Sequence, residues 1–326
     1  MEASPGSSIP VLRPDLSLTY GAFEIGILIG MFLTGIATLQ AWNYARDYQE
    51  DSKRLKILVT FVYFADLLHS AMLAHTLYWY TIRNFGLYAA LGEFVWSFDT
   101  ATPLAGIVAF VVQTFFCARI KHITGTWTYA IGCWILAAAR LVLNCVFASQ
   151  VVRAGVFSVL GEPKTKALGL ATLSVGAASD VLIAGFLCAG FSHRRSGFAP
   201  TDKLLNKLVA YTIGTGLITS IIALCEAITF GASGTDNLIT LSFYCVLPKL
   251  FRNSLLASLN ERSYTRRDLT NLVRSTRSKS ITIERTTVSV SDRDVELGAL
   301  QVRQPHDLSH DKELESPVKR SSRDFQ

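Results

Sequence analysis

The order of hydrophobic and polar residues along the chain predicts helices of membrane-spanning length, separated by short polar loops. A helix needs about 20 apolar residues to cross a bilayer, and runs of about this length recur along the sequence. We place seven of them at residues 20–42, 55–79, 101–117, 128–149, 167–191, 208–230 and 237–256. The prediction is therefore an all-α integral membrane protein, a bundle of seven transmembrane helices within residues 20–259.

The third run is shorter than the others, so its upstream boundary is open. The segment before it, residues 80–100, carries Arg83, Glu93 and Asp99 among aromatic residues. This segment either lies partly in the membrane interface or extends the third helix outward.

The positive charges in the loops predict how the bundle is oriented, because cytoplasmic loops carry an excess of Lys and Arg. The first, third and fifth loops and the start of the tail carry the larger set, Arg46, Lys53, Arg54, Arg119, Lys121, Arg194, Arg195, Lys203, Lys207, Arg262, Arg266 and Arg267. The opposite side carries Arg13, Arg83, Arg153, Lys164 and Lys166. This bias places residues 1–19 outside the cell and the C-terminal tail in the cytoplasm.

The tail, residues 260–326, is polar and offers little apolar surface for a core, so we expect it to be disordered. Its first part is basic, and each basic residue beside a membrane attracts anionic lipid by about 1 kcal/mol. The partners that we predict are the lipid bilayer, anionic lipids at this basic juxtamembrane segment, and a cytoplasmic signalling protein. The location is a membrane, with the plasma membrane favoured over an internal one.

Composition agrees with this class and excludes several others. Charged residues make up 17% of the chain, against about 25% in soluble domains. The net charge of +6 does not indicate nucleic-acid binding, because the positive residues lie in short loops between apolar runs. CxxC spacing, HExxH, GxSxG and a Gly-rich phosphate loop are missing from the sequence. We therefore predict neither an enzyme nor a bound cofactor or metal.

Ionisable residues within the apolar runs are the first candidates for function, since each costs about 2.5–3.5 kcal/mol at the bilayer centre. Two are acidic and two are basic, so they are able to neutralise one another inside the bundle. His69 lies one turn from Asp66, and Asn144 lies one turn from Arg140. The predicted buried polar network comprises Asp66, His69, Arg140, Asn144, Asp180 and Lys249. A transport path is the alternative, and the sequence does not show which acid meets which base.

A second group lies nearer the predicted outer side and consists of Trp79, Glu93, Trp96, Asp99 and Glu226. Aromatic and acidic groups around an outward vestibule would recognise a small cationic or polar ligand. The alternative is that the aromatic residues mark the interface while the acids point to water.

Lys249 raises one further alternative, because a lysine in the last of seven helices is able to hold retinal as a Schiff base. Lys249 follows Pro248 and lies with Arg252 towards the cytoplasmic end. The third run also lacks a central acidic counter-ion. The sequence therefore favours the network role for Lys249.

Four short segments carry a resemblance to a known family. They read ASDVLIA at residues 178–184, TDKLLNKL at 201–208, YTIGTGL at 211–217 and NSLLASLN at 253–260. Together, within residues 174–262, they resemble a large family of seven-helix membrane proteins from mushroom-forming basidiomycete fungi. The last three helices of that family are catalogued as a domain of unknown function. The resemblance implies seven spans and a fungal membrane protein, and it supplies no ligand, reaction or catalytic residue.

Three classes of function remain open. Receptor-like signalling comes first, because seven spans, an outward N-terminus and a basic cytoplasmic tail suit it, although this is an argument from architecture. The sequence lacks the rhodopsin-type D/E-R-Y and NPxxY motifs, and Cys117-Ala118-Arg119-Ile120 stands in place of the former. A small-solute or proton-coupled transporter is the second class, and a structural or lipid-organising protein is the third.

Overall fold

The computed structural model describes residues 17–193, 199–232 and 238–261, and the side chains of residues 18, 199–213 and 215 are outside this description. The predictions for residues 1–16, for Arg194 and Arg195, and for the tail beyond residue 261 fall outside the described residues. The same holds for the side chains of Lys203 and Lys207. The chain divides into two units, Met1–Leu269 and Thr270–Gln326, and the second unit lies wholly outside the described residues.

The described residues are almost entirely helical. The long helices are α1 (Ala22–Asp47), α2 (Lys53–Tyr78), α3 (Trp96–Thr124), α4 (Trp127–Ala154), α5 (Pro163–His193) and α6 (Ala199–Ala232), followed by α7 at residues 239–261. Short helical turns at Ser17–Gly21, Trp79–Arg83, Tyr88–Gly92 and Phe157–Gly161 complete the connections. The prediction of an all-α protein is confirmed.

Five of these helical segments are long and apolar enough to cross a membrane. They are Thr19–Asp47, Lys53–Arg83, Trp96–Thr124, Trp127–Ala154 and Pro163–His193, with 28 to 31 residues each. At about 1.5 Å per residue, such helices are roughly 42–46 Å long and exceed a hydrocarbon core of about 30 Å. The described part of α6 includes a shorter apolar helix, Gly216–Ala232.

The distribution of side chains is that of a protein surrounded by lipid. Asp66, Lys249 and Arg252 are at most 1% exposed, whereas Phe32 is 70% exposed and Leu39 is 62% exposed. A soluble protein buries its large apolar side chains and leaves its charges in water. Here several charged residues are buried in the bundle while many large apolar residues are exposed on the outside of long apolar helices, so the chain is a multi-pass membrane protein.

Neighbouring helices run in opposite directions. Between α1 and α2, Thr34 contacts Ser70 and Thr38 contacts Tyr63, so the residue numbers rise along one helix as they fall along the other. The same reversal occurs between α3 and α4, between α4 and α5, and between α5 and α6.

α7 instead runs parallel to α1, because their contacts advance together along both helices. Side chains of α7 donate hydrogen bonds to backbone carbonyls of α1 in the pairs Ser242 to Ala22, Asn253 to Leu33, and Asn260 to Gln40. α3 is also parallel to α7, since Tyr244 contacts Thr102 and Ser258 contacts Arg119. The helices α1, α3, α5 and α7 therefore run one way, and α2, α4 and α6 run the other. We call the end where α3 begins the Trp96 end, and the end where α3 stops the Gly125 end.

The third helix differs most from its predicted bounds. It begins at Trp96 instead of residue 101 and continues to Thr124 instead of residue 117. Hydropathy marks the apolar part of a helix, whereas the helix itself continues until a residue interrupts its hydrogen bonds. Here the interruption is Gly125, whose φ of 78° is the left-handed conformation that commonly ends a helix. Asp99 thus belongs to the first turn of α3, as the outward extension of the third helix required.

Candidate functional site

One cluster of buried charges joins α2 to α7. The Lys249 ammonium donates to Asp66 Oδ1 at 3.1 Å and to Ser70 Oγ at 2.6 Å, and lies 3.1 Å from His69 Nδ1. The Arg252 guanidinium donates to the other carboxylate oxygen, Asp66 Oδ2. A single carboxylate therefore holds two cations, and we call this group the Asp66 cluster.

The Asp66 cluster also forms hydrogen bonds with residues of α1. Arg252 donates to the carbonyl of Leu33 at 3.2 Å, and Thr34 Oγ1 lies 3.1 Å from Ser70 Oγ. Both oxygens of the Asp66 carboxylate and the Lys249 ammonium therefore take part in hydrogen bonds. Buried polar groups that are almost fully paired fix the helices in one arrangement. The Asp66 cluster is therefore suited to holding α1, α2 and α7 together.

A second group of polar residues lies between α3, α4, α5 and α6, and we call it the Arg140 cluster. Arg140 Nη1 is 3.9 Å from Asp180 Oδ2, a loose ion pair, and Gln113 Nε2 donates to Asp180 Oδ1 at 2.7 Å. The Arg140 guanidinium also lies over the Phe251 ring at 5.1 Å from its centroid. Asn144, one turn further along α4, contacts Gly106 of α3.

Glu226 of α6 belongs to the same group. Its side chain is buried, it borders a cavity together with Arg140, Asn144 and Tyr244, and it interacts electrostatically with Arg140. Counted inward from the Trp96 end at about 1.5 Å per residue, Glu226 is about 9 Å deep, Asn144 about 15 Å and Arg140 about 21 Å. The polar side chains thus form a sequence of steps from that end towards the middle of the bundle.

The two clusters differ in how completely their polar atoms are paired. Among the described residues, buried atoms of the Arg140 cluster and its neighbour Ser179 that have no hydrogen-bond partner are Gln113 Oε1, Arg140 Nη1, Asn144 Oδ1, Ser179 Oγ, Asp180 Oδ2 and Glu226 Oε2. The Asp66 cluster leaves only His69 Nε2 and Arg252 Nε in this state. Buried polar groups are nearly always bonded, so such a concentration indicates that water, an ion or a ligand occupies the space beside them.

A cavity of about 110 Å³ lies at the Trp96 end, and Glu226 is one of the residues that line it. Aliphatic residues such as Leu173 and Leu241 line it together with the aromatic residues Phe94, Phe98, Phe147, Phe157, Phe230 and Tyr244. Thr102, Asn144 and Glu226 supply polar groups. An engineered protein cavity of about 150 Å³ binds benzene, and this cavity is smaller, so it has room only for a compact small molecule. We call it the Glu226 cavity.

Two smaller cavities continue the same line through the bundle. One of about 60 Å³ shares Asn144, Glu226 and Tyr244 with the first and reaches Arg140. Another of about 40 Å³ is lined by Asp180 and extends to Ser258, near the Gly125 end. The ion pair of Arg140 and Asp180 stands between them.

The structure does not assemble the predicted outer vestibule. The Trp96 ring is 64% exposed and lies 5.2 Å from His75, Glu93 is exposed, and Asp99 is half-buried. Neither these three nor Trp79, which packs on Tyr80, is among the residues that line the Glu226 cavity. On α3, Phe98 and Thr102 face the cavity. Trp96 is two residues from Phe98, and residues two apart lie on different faces of a helix.

The predicted network is likewise divided. Asp66, His69 and Lys249 form one cluster, Arg140, Asn144 and Asp180 form the other, and no described hydrogen bond or ion pair joins them. The sequence interpretation missed Ser70, Gln113 and Arg252 as members and placed Glu226 with the wrong group. The spacing of two of them indicated their membership. Ser70 follows Asp66 by four residues and Arg252 follows Lys249 by three, so each shares a helix face with its neighbour in the cluster. Gln113 is uncharged, and nothing in the sequence indicated that it belongs to a cluster.

A comparison with known proteins identifies one region. Residues 176–264 match the Family of unknown function (DUF6534), which confirms the predicted domain of unknown function at residues 174–262. No curated protein and no solved structure matches the chain. The matched region carries Asp180, Glu226, Lys249 and Arg252, and so contributes acids and bases to both clusters. The last three helices of this membrane protein are thus similar to a family whose function is unknown.

Proposed function

We propose that the chain is a receptor-like fungal membrane protein with seven spans, which senses a small molecule bound in the Glu226 cavity. The observation that carries this proposal is the buried carboxylate of Glu226. Its Oε2 atom has no hydrogen-bond partner among the described residues, and Glu226 is one of the residues that line a cavity of about 110 Å³ with aromatic and aliphatic walls. An apolar pocket with a few polar groups is the usual form of a small-molecule site.

The direction of the helices supports an outward-facing cavity. α1 and α7 run parallel, so a chain that crosses the membrane with each helix has its two ends on opposite sides. The Gly125 end carries Arg46, Lys53, Arg54, Arg119 and Lys121, whereas the Trp96 end carries Arg83, Arg153, Lys164 and Lys166. The sequence adds further basic residues in the loop after α5 and at the start of the tail. The excess of basic residues therefore favours a cytoplasmic Gly125 end and an outer Trp96 end.

The series of polar residues supports a sensing role. A ligand at Glu226 would lie beside Arg140, which also faces Asp180 and stacks on Phe251 of α7. A ligand shifts a conformational equilibrium only by binding its two states differently. A loosely paired arginine between two acids provides such a difference, because its preferred acid depends on what occupies the cavity. The cytoplasmic end of α7 would then report the change to a signalling partner.

A second candidate is a transporter, favoured by the three cavities that follow one another along the bundle. Ionisable residues lie at each step, with Glu226 first, then Arg140, then Asp180. Membrane-buried ionisable residues in a row are typical of substrate or proton paths. Flux into reconstituted vesicles that depends on Glu226 would support this function in place of sensing.

The proposal is tested by ligand-dependent thermal stabilisation of the purified protein. A library of small aromatic molecules is screened against wild type and against Leu173→Trp, which fills a position on the cavity wall. A ligand that binds only the folded state raises the melting temperature. We expect some compounds to stabilise wild type and not Leu173→Trp. A library that affects both proteins equally would contradict binding in this cavity.

A further inference from the structure

The charges around the Glu226 cavity do not balance. Two carboxyl groups lie near one guanidinium, because Arg140 forms a loose ion pair with Asp180 and borders one cavity together with Glu226. The Asp66 cluster has the opposite imbalance, with Lys249 and Arg252 on one acid. Since no described ion pair joins the two clusters, the excess cation of the one does not neutralise the excess acid of the other by contact. When both carboxyl groups are ionised, the cavity side is therefore short of one positive charge.

The position of Glu226 indicates where that charge belongs. Its side chain is 5% exposed, and its Oε2 atom has no hydrogen-bond partner among the described residues. A buried carboxylate is costly unless it is both paired and hydrogen-bonded. A cationic donor located in the cavity would satisfy both requirements at once.

The rest of the cavity wall suits the apolar part of such a ligand. The rings of Phe98, Phe147 and Phe230 line the space, and aromatic faces attract cations as well as binding apolar groups. Tyr244 brings a hydroxyl, which donates to Thr102 Oγ1 at 3.3 Å. Only a compact body fits a volume of about 110 Å³.

From this geometry we infer that the Glu226 cavity binds a small organic cation, a compact aromatic or aliphatic body that bears a protonated amine. The ammonium group pairs with the Glu226 carboxylate, and the apolar body lies among the phenylalanine rings. This inference rests on the proposed function, which requires only that the cavity bind a small molecule.

The test uses three probes of one shape and different charge. Benzylamine is a cation at neutral pH, benzyl alcohol is its neutral counterpart, and benzoate is an anion. Affinity is measured by titration calorimetry on wild type, Glu226→Gln, Glu226→Asp and the control Glu162→Gln. Glu162 is exposed at the same end and does not line the cavity. Leu173→Trp in the same detergent corrects for partitioning of the probes.

We expect wild type to bind benzylamine at least tenfold more tightly than benzyl alcohol and not to bind benzoate. Glu226→Gln should lose this preference for the cation, whereas Glu226→Asp, which keeps the charge, should retain part of it. Glu162→Gln should behave as wild type. If Glu226→Gln does not fold, the ranking of the probes on wild type still decides the matter.

Two results would overturn the inference and separate its failure from that of the proposed function. Equal binding of benzyl alcohol and benzylamine to wild type would exclude a preference for cations, while the proposed small-molecule site would remain. The absence of binding by all three probes would also overturn the inference. Together with a library that stabilises wild type and Leu173→Trp alike, that absence would remove the proposed function as well.

Discussion

At the scale of single residues, Asp66 has the clearest structural role. Its carboxylate accepts hydrogen bonds from Lys249 and Arg252, and all three side chains are almost completely buried. Asp66→Asn leaves two cations in the interior without an anion. Breaking a buried pair in this way costs about 3–5 kcal/mol. We expect Asp66→Asn to unfold at a markedly lower temperature or denaturant concentration than wild type, while Glu50→Gln at an exposed position should not change unfolding.

Double-mutant cycles decide whether the pairing itself is responsible. Asp66→Asn and Lys249→Met should be strongly non-additive, because each removes the partner of the other. Asp180→Asn and Lys249→Met should add within about 0.5 kcal/mol, since they share no described partner. Equal coupling energies in the two cycles would contradict the division into two clusters.

The residue scale is also where sequence interpretation reached its limit. The sequence predicted that the buried acids and bases neutralise one another, and Asp66 and Lys249 do so. It did not show the partners, because a pairing depends on how each helix is rotated and how far it is shifted along its neighbour. Glu226 illustrates this. Its place near the end of a run suggested contact with water, whereas the rotation of α6 turns it into the bundle.

At the scale of the helix, close approach between α1 and α7 depends on a residue without a side chain. A Cβ atom added at Gly26 would lie 2.5 Å from Ser242 Cα, a backbone atom that cannot move alone. Small residues at helix contacts are typical of membrane bundles for this reason. The same contact brings α7 to the position in which Lys249 meets α2.

Gly26→Ala should therefore push α1 and α7 apart and reduce the free energy of unfolding by about 1–3 kcal/mol, the usual cost of overpacking. Gly35→Ala on the same helix is the matched control, since nothing lies within 4 Å of an added Cβ there. That control should be neutral or slightly stabilising, because Ala favours helix over Gly. The two variants are compared by thermal unfolding in one detergent. Similar melting temperatures for both would show that the contact does not limit packing.

Hydropathy predicted where the apolar helices lie but not how they end. The ends depend on local chemistry, such as the left-handed Gly125 after α3 and Gly155 after α4. The residues of the predicted vestibule lie on several different elements of the structure. Of the five residues chosen by their distance from a loop, only Trp96 and Asp99 lie on α3, and neither lines the cavity that Phe98 and Thr102 of the same helix face.

At the scale of the whole molecule, the biological meaning of the Glu226 cavity depends on which side of the membrane it faces. The alternation of the helices places the loops after α1 and α3 on one side and the loop after α4 on the other. The basic residues favour the cytoplasm for the first side. Exposed positions that represent these loops are Glu50, Thr126 and Lys164.

We expect a cysteine at position 164 to react with a membrane-impermeant maleimide in intact cells. Cysteines at positions 50 and 126 should react only after permeabilisation. The three substitutions, Glu50→Cys, Thr126→Cys and Lys164→Cys, are made in a Cys145→Ala background to remove the exposed native thiol. Labelling in permeabilised cells is the control for reactivity. Reaction at positions 50 and 164 together in intact cells would contradict the alternation of the spans. A complete inversion would keep the alternation but turn the cavity to the cytoplasm. The cation that pairs with Glu226 would then be an intracellular metabolite rather than an external signal.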